Sequence, residues 1–584
     1  MIKERIDALR QAMIKAHIDV YYITTSDDHM SEYIPEYYKI LRYFSGFTGS
    51  LGTLLVTLDE AYLFVDGRYH IQAADETKDT GIEVMRLGLP GVLEPLAFLS
   101  EKYNKATIGL DGKLTATSFV KQLLAQGHKV ESLDLVSDIM LERKPLSNDP
   151  IFELGIEYVG KSRKDKIKEI LYCLDGKTHI LTGLEAIAYV LNMRANDIAC
   201  TPVFNAFLVF TKNETHLFVN LERLSEELLL SLYDDEIIVK PYAEYYNFLK
   251  TIKHQTILLD ENKVNYETYS LVQKHNHLFN MRSIVEDMKA IKNPVEQENM
   301  RLAHIYDGVA MVRFIKWLKE SDKSELNEYQ VVQKLNEFRL GYKAFDLSFA
   351  PIVAYNANAA MMHYSPKEDA CTKLANEGIL LVDSGGQYLQ GTTDITRTIA
   401  LGPVTAEVSK YFTLVLKSMF ELSSVTFKKG MSGNQLDILA RKNLWNLGVD
   451  YLCGTGHGVG FVSSVHEMPP NIRYQKTLAA SEQVPFVPGH IVSDEPGVYF
   501  EGRFGIRSEN MLLCKKAMTN EYGDFYNFET LTMCPFDLDL ISPDYLDESD
   551  KRIINAYHAR VNVALSPYLN EEEKAFLQQA TRAI

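Results

Sequence analysis

Leu380-Leu381-Val382-Asp383-Ser384-Gly385-Gly386-Gln387-Tyr388-Leu389-Gln390-Gly391-Thr392-Thr393-Asp394 opens as an apolar strand, ends it on a carboxylate, turns through glycine and returns to a second carboxylate. A later stretch repeats the plan: Ile491-Val492-Ser493-Asp494-Glu495-Pro496-Gly497-Val498-Tyr499-Phe500-Glu501-Gly502-Arg503-Phe504-Gly505-Ile506-Arg507-Ser508-Glu509. Apolar runs punctuated by glycine and proline are hairpin signals. Two such hairpins, with acids at corresponding corners, predict two halves that face each other across one shared site. Taken singly, each acid has an ordinary reading. Asp383 before Ser-Gly-Gly is a common turn residue, and Arg507 and Glu509, two apart on a strand, are spaced for an ion pair on one face.

Between the hairpins lies Gly454-Thr455-Gly456-His457-Gly458-Val459-Gly460, where the glycines flanking His457 permit close backbone approach and uncover the imidazole. Asp383, Asp394, His457, Glu495 and Glu509 together offer hard oxygen donors and one nitrogen, the set that a pair of divalent ions needs. Four carboxylates could not sit close together unless cations neutralised them. Two ions about 3.5–4 Å apart lower the pKa of a bridging water toward roughly 7, so the set predicts hydrolysis without a serine or cysteine nucleophile. The sequence carries no G-x-S-x-G elbow, HExxH helix or G-x-x-x-x-G-K loop.

Working outward, 584 residues exceed one ordinary core. Two breaks divide them. Arg143-Lys144-Pro145-Leu146-Ser147-Asn148-Asp149-Pro150 interrupts the pattern, and Lys292-Asn293-Pro294 starts a helix, with Asn293 as cap, Pro294 in the first turn and Glu296 closing a capping box. The implied segments are 1–148, 149–290 and 291–584, with a helical extension from about Asp537 that contains Pro567 between two helices. The first two segments look like copies: the hairpin Gly52–Asp66 matches Ala206–Asn220 in length and pattern.

A formal charge of −17 argues against a general nucleic-acid binder. No run of about 18 apolar residues predicts a membrane span. The stretch before Val20 is amphipathic, with Ile6, Leu9 and Met13 at helical spacing, and lacks a signal-peptide core. Six scattered cysteines without a C-x-x-C pair read as reduced thiols, and so as a cytoplasmic protein.

These motifs, with Asp28-His29-Met30-Ser31-Glu32-Tyr33, Phe44-Ser45-Gly46-Phe47-Thr48-Gly49-Ser50, Asp66-Gly67-Arg68-Tyr69 and Leu191-Asn192-Met193-Arg194-Ala195, resemble the Xaa-Pro aminopeptidases (aminopeptidase P) in their three-domain form. That family belongs to the creatinase, prolidase and methionine aminopeptidase "pita-bread" superfamily. The resemblance implies two creatinase-type N-terminal α/β domains followed by an α+β pita-bread catalytic domain, and often a homodimer. It implies two divalent ions, Mn2+ by the family's usual assignment, with Co2+ or Zn2+ also suited to the ligands. Asp394 and Glu509 would bridge the ions, Asp383 would complete one site, and His457 and Glu495 the other. His363 would contact substrate, His466 would stabilise the oxyanion, Glu495 would help move a proton, Arg507 would orient groups near Glu509, and Arg68 would assist substrate binding. The implied activity is release of the N-terminal residue from peptides with proline second, by a hydroxide bridging the ions. Two departures are visible: Cys453 stands where the family commonly has histidine, and Met468 where it usually has glycine. The alternatives are an Xaa-Pro dipeptidase (prolidase) and a non-catalytic pita-bread protein that binds peptides.

Overall fold

The protein is described here by a computed structural model, which covers residues 2–474 and 484–584. It contains two compact units, Met1–Gly155 with Lys161–Glu286, and Ile156–Gly160 with Asp287–Ile584.

The first unit holds two six-stranded mixed sheets of one topology. In chain order the first has strands Val20–Thr24, Thr53–Thr57, Ala61–Val65, Glu83–Arg86, Thr107–Leu110 and Lys129–Ser132. Val20–Thr24 pairs antiparallel with Thr53–Thr57 and parallel with Thr107–Leu110. In the second sheet Thr178–Leu181 plays the same part, antiparallel to Ala206–Phe210 and parallel to Thr256–Leu259. The two hairpins that look alike in sequence occupy equivalent places, with outer parallel strands Glu83–Arg86 and Ile237–Pro241 beside them. Strands Ala61–Val65, Ala206–Phe210 and Thr215–Val219 are buried throughout, which is why they read as continuous apolar runs rather than alternating ones. Helix Ile2–Ala16 covers the first sheet with Ile6, Leu9 and Met13, as their spacing predicts.

In the second unit, the Asn293 side chain accepts from the Val295 and Glu296 N–H groups, while Glu296 returns to the Asn293 N–H, so the capping box forms at the start of Pro294–Glu320. Ala303, Ala310, Met311, Phe314 and Leu318 are buried along that helix. Strand Ile379–Ser384 pairs antiparallel with Ile352–Tyr355 on one side and Ile395–Ala400 on the other. A six-stranded sheet contains Gly456–Gly458, Glu467–Ile472, Ile491–Asp494, Asn510–Asn520 and Gly523–Thr530 beside a short edge strand, Phe427–Lys428. The C-terminal helices Glu548–Leu565 and Glu571–Ala580 flank a turn that contains Pro567, and each starts on a capping box, Asp547 with Asp550 and Asn570 with Glu573. Val561, Leu565 and Leu577 join the core cluster of helix Ala406–Ser423, so the extension is part of this unit's core.

Buried charge also holds this unit together. Arg339, fully buried, donates to both oxygens of Asp307 at 2.7 and 3.3 Å, and the Tyr388 hydroxyl donates to the same carboxylate at 2.9 Å. Removing one partner of such a pair strands the other in a low-dielectric interior. Arg339→Met should therefore lower stability by about 3–5 kcal/mol. Lys334→Met on the same helix, where the lysine meets Glu337 at the surface, should change it by less than about 1 kcal/mol. Thermal unfolding of the two variants checks the contrast.

Candidate metal centre

The acidic corners lie where the two hairpins predict. Asp383 sits near the end of its strand opposite Thr396, and Asp394 immediately precedes the partner strand, whose first residue Ile395 pairs with Ser384. In the other half Asp494 pairs with Asn510, so Glu495 and Glu509 stand one residue beyond the last paired rung. The Glu509 N–H donates to the Thr396 carbonyl at 3.2 Å and the Glu495 N–H to that of Thr455 at 2.7 Å. The carboxylates are thus carried on strand ends fastened to neighbouring strands. His457 lies in the three-residue strand Gly456–Gly458. A Cβ at Gly456 would fall 1.9 Å from the Ser493 carbonyl oxygen, and one at Gly458 would fall 2.1 Å from that of Glu467. Glycine is needed there because other backbone fills the space.

Ligand atoms of Asp394, His457 and Glu509 lie within 4.8 Å of one another. His457 Nε2 is 3.5 Å from Asp394 Oδ2 and 3.5 Å from Glu495 Oε1. Its Nδ1 lies 2.9 Å from the Gly458 carbonyl, an arrangement in which Nδ1 donates and leaves the Nε2 lone pair toward the acids. Asp383 pairs through Oδ2 with Arg507, and Glu509 Oε2 accepts from Thr396 Oγ1 at 2.8 Å. The remaining oxygens, Asp383 Oδ1 and Glu509 Oε1, are buried without a hydrogen-bond partner. Buried acceptors are normally satisfied, so hard, unpartnered oxygen donors beside an imidazole fit divalent cations.

The electrostatics agree. Burial, then Asp394 and Glu495, push the Asp383 carboxyl up to about 7 against the pull of Arg507. Burial with the neighbouring acids raises Glu495, and raises Glu509 far above the carboxylate range. Burial would lower the His457 imidazole, but Asp394 and Glu495 outweigh it and hold it at about 9. Asp383, Glu495 and Glu509 are raised first by burial and then by the acids around them.

The other predicted residues fall in several places. His466 is half-buried, its ring 4.3 Å from that of His457 at 74°. Arg507 is buried; besides Asp383 it donates to the Tyr499 hydroxyl at 2.7 Å and to Thr396 Oγ1 at 3.1 Å. Its ion-pair partner is thus across the halves and not Glu509, the neighbour suggested by strand periodicity. His363, half-buried, follows Met362, whose carbonyl lies 3.5 Å from Arg507 Nη2. Arg68 belongs to the first unit, where its guanidinium grips Asp66 at 2.8–3.2 Å. Burial, then Glu495, push the Cys453 thiol up to about 11. Two features escaped the sequence reading. Glu467, next to His466, is clasped by Lys289 and Lys292. Glu328 receives the N–H groups of Tyr355 and Thr372, the Asn358 amide and the Tyr364 hydroxyl at 2.7–3.2 Å, which anchors the segment carrying His363. In sequence Glu328 is only an acid in a helix's first turn, with no signal of that role.

Residues 298–516 match metallopeptidase family M24, and residues 524–584 match the C-terminal region of peptidase M24. Residues 5–143 and 142–296 each match the creatinase/prolidase N-terminal domain. The chain is similar over 98% of its length to a protein of Sordaria macrospora described as a probable Xaa-Pro aminopeptidase P, 34% identical and covered over 97% of its length. A Talaromyces marneffei protein of the same description is 36% identical over 98% of this chain and 90% of its own. The solved X-prolyl aminopeptidase of Caenorhabditis elegans, described as a cytosolic enzyme with a di-nuclear active site, superposes with a TM-score of 0.94 at 28% identity, over 100% of both chains. The fold is therefore the expected one, two creatinase-type α/β domains followed by an α+β pita-bread domain.

Cation binding requires unprotonated carboxylates and a neutral imidazole. In the bare site Asp383 is held near 7 and His457 near 9. Loading the stripped protein should therefore release protons at neutral pH, and fewer at pH 8 than at pH 6.5, because Asp383 has already lost its own. Calorimetry in buffers of different ionisation enthalpy reads this directly.

Proposed function

The chain belongs to the Xaa-Pro aminopeptidase P family of M24 metallopeptidases, and from that premise we propose that it releases the N-terminal residue of peptides whose second residue is proline. The observation that carries this reading is the convergence of Asp394, Glu495 and Glu509 on His457, with Asp383 coupled to Asp394 and Glu495 and two buried oxygens left unsatisfied. Two divalent cations are the cofactor, and we assign manganese, with cobalt or zinc also compatible with the donors. Asp383, Asp394, His457, Glu495 and Glu509 would hold the ions. When bound, the cations polarise the scissile carbonyl and make a water nucleophilic near neutral pH.

The protein's own side chains supply the rest. Arg507 fixes Asp383 through one carboxylate oxygen and leaves the other buried without a hydrogen-bond partner. His466, whose ring meets that of His457, would donate to the oxyanion that develops on the carbonyl. Glu495, with its raised pKa, is suited to carry a proton from the attacking water toward the departing proline nitrogen. His363 and Arg68 are assigned to substrate. Proline leaves the scissile bond without an N–H, so binding cannot depend on that donor. A homodimer in the cytoplasm, acting on peptides and not on nucleic acid, completes the reading. The net charge of −17 supports the exclusion of nucleic acid, and the six cysteines in no disulfide and the cytosolic description of the Caenorhabditis elegans enzyme support the cytoplasm; the homodimer rests on the family resemblance alone. Among the described residues no helix is long and apolar enough to cross a membrane.

Stripped protein reloaded with manganese should release arginine from Arg-Pro-Pro and cleave the dipeptide Arg-Pro at least about tenfold more slowly, a gap of roughly 1.4 kcal/mol in the barrier. Preference for the dipeptide would make the protein a prolidase, and metal-free protein that manganese cannot activate would make it a binding protein. Asp394→Ala should abolish turnover of Arg-Pro-Pro, since it removes a carboxylate from the convergent ligand group; full activity in that variant rejects the ligand assignment.

A further inference from the structure

Val462 adopts φ +46° while fully buried. A β-branched residue in the left-handed region places its side chain against its own carbonyl, and such residues persist only where the surroundings impose the conformation. The next residue shows what imposes it. The Ser463 N–H donates to Thr392 Oγ1 at 3.1 Å, and the Ser463 carbonyl accepts from Gln387 Nε2 at 2.8 Å. The Thr392 hydroxyl in turn donates to Gln387 Oε1 at 2.8 Å. Gln387 and Thr392 face each other across the short hairpin Gly386–Tyr388/Gly391–Thr392, and neither is exposed to solvent. That hairpin is itself anchored through Tyr388 to the buried Asp307–Arg339 pair.

The clamp joins the two halves of the site. Its hairpin lies in the chain between Asp383 and Asp394, while the loop it grips runs from Gly460, whose N–H closes on the Ser464 carbonyl at 3.0 Å, to His466. Three residues after Ser463, the His466 ring meets that of His457. We infer that Gln387 and Thr392 are positioning residues that hold the 460–466 loop in its strained form and thereby set where the His466 imidazole stands over the site. Its bearing on turnover rests on the reaction proposed above. The clamp itself rests on the geometry alone.

Val462→Ala and Val462→Gly both lose the isopropyl group, but only glycine adopts positive φ freely. Glycine ordinarily destabilises relative to alanine through the unfolded chain. Here the order should reverse, with Val462→Gly melting above Val462→Ala, while its kcat for Arg-Pro-Pro falls below that of Val462→Ala because the loop is no longer constrained. Thr392→Val, similar in shape but without the hydroxyl, should lower kcat by about 10- to 100-fold with KM within about twofold and bound manganese unchanged. Thr392→Ser should recover most of the loss. Amide hydrogen exchange across 460–466 should quicken in Thr392→Val and return to the native rate in Thr392→Ser. Val462→Ala melting at or above Val462→Gly overturns the strain, unchanged exchange in Thr392→Val overturns the clamp, and unchanged kcat there overturns its catalytic role. If the native protein turned over no peptide with manganese bound, the proposed reaction would fall, while the melting and exchange comparisons would still judge the clamp.

Discussion

Four carboxylates and an imidazole share one buried enclosure, and everything around them is arranged to make that tolerable. Ionised side chains out of water cost several kcal/mol each even after relaxation. Among the described residues Arg507 is the one arginine or lysine in ion-pair contact with these acids, and it reaches Asp383. One guanidinium cannot offset four acids, so the bare cluster answers by taking up protons: Asp383 rises to about 7, and Glu495 and Glu509 rise with it. Divalent cations reverse that balance. The same crowding that drives protons on in their absence makes the enclosure a strong ligand in their presence.

Such a cluster cannot be carried on loose loops, because side chains that repel one another would swing apart. Each acid instead stands at or one residue beyond a paired strand end, and the two halves are bolted together beneath it. Arg397 is the clearest bolt. It donates to the carbonyls of Thr396 and Glu509 at 2.9 and 2.6 Å, reaches Asn510 Oδ1 at 2.9 Å, and stacks on Phe536 at 3.8 Å. A delocalised guanidinium with several donors suits this task better than an ammonium would. It holds both strands through their backbones and leaves their carboxylates to face the cluster.

Much of this was legible in the chain. The paired hairpins, the glycines around His457 and the capping box at Asn293 are local signals, with a period or a turn residue attached, and they survive folding unchanged. The duplicated hairpins of the first unit likewise correspond to two sheets with the same strand order, because a strand buried on both faces announces itself as an unbroken apolar run. Contacts between distant segments carry no such period. Strand spacing placed Arg507 beside Glu509, while its guanidinium crosses to Asp383. Glu467 in sequence is simply the neighbour of His466; its lysine partners are about 175 residues away. Long-range charge pairing is set by the fold, and only a very regular motif betrays it beforehand.

Glu328 and Glu509 sharpen what marks a ligand. Both are buried glutamates in one unit with no lysine or arginine in ion-pair contact among the described residues. Around Glu328, two backbone N–H groups, an amide and a phenol converge, so its charge is met by donors and the residue acts as a fastener. Around Glu509, Thr396 supplies a hydroxyl to one oxygen and the other has no partner. An unmet oxygen is not sufficient by itself: both oxygens of Asp494 are buried without partners too, and burial beside Glu495 and Asp437 drives that carboxyl far up toward its neutral form. What separates Glu509 from Asp494 is company. Glu509 Oε1 or its mate lies within 4.8 Å of ligand atoms on both Asp394 and His457, and a neutral acid in that position would leave the imidazole and its neighbour still charged. Protonation can relieve one isolated carboxylate. A convergent set that includes a basic nitrogen is relieved more completely by a cation, and this difference in remedy distinguishes a buried acid from a metal ligand.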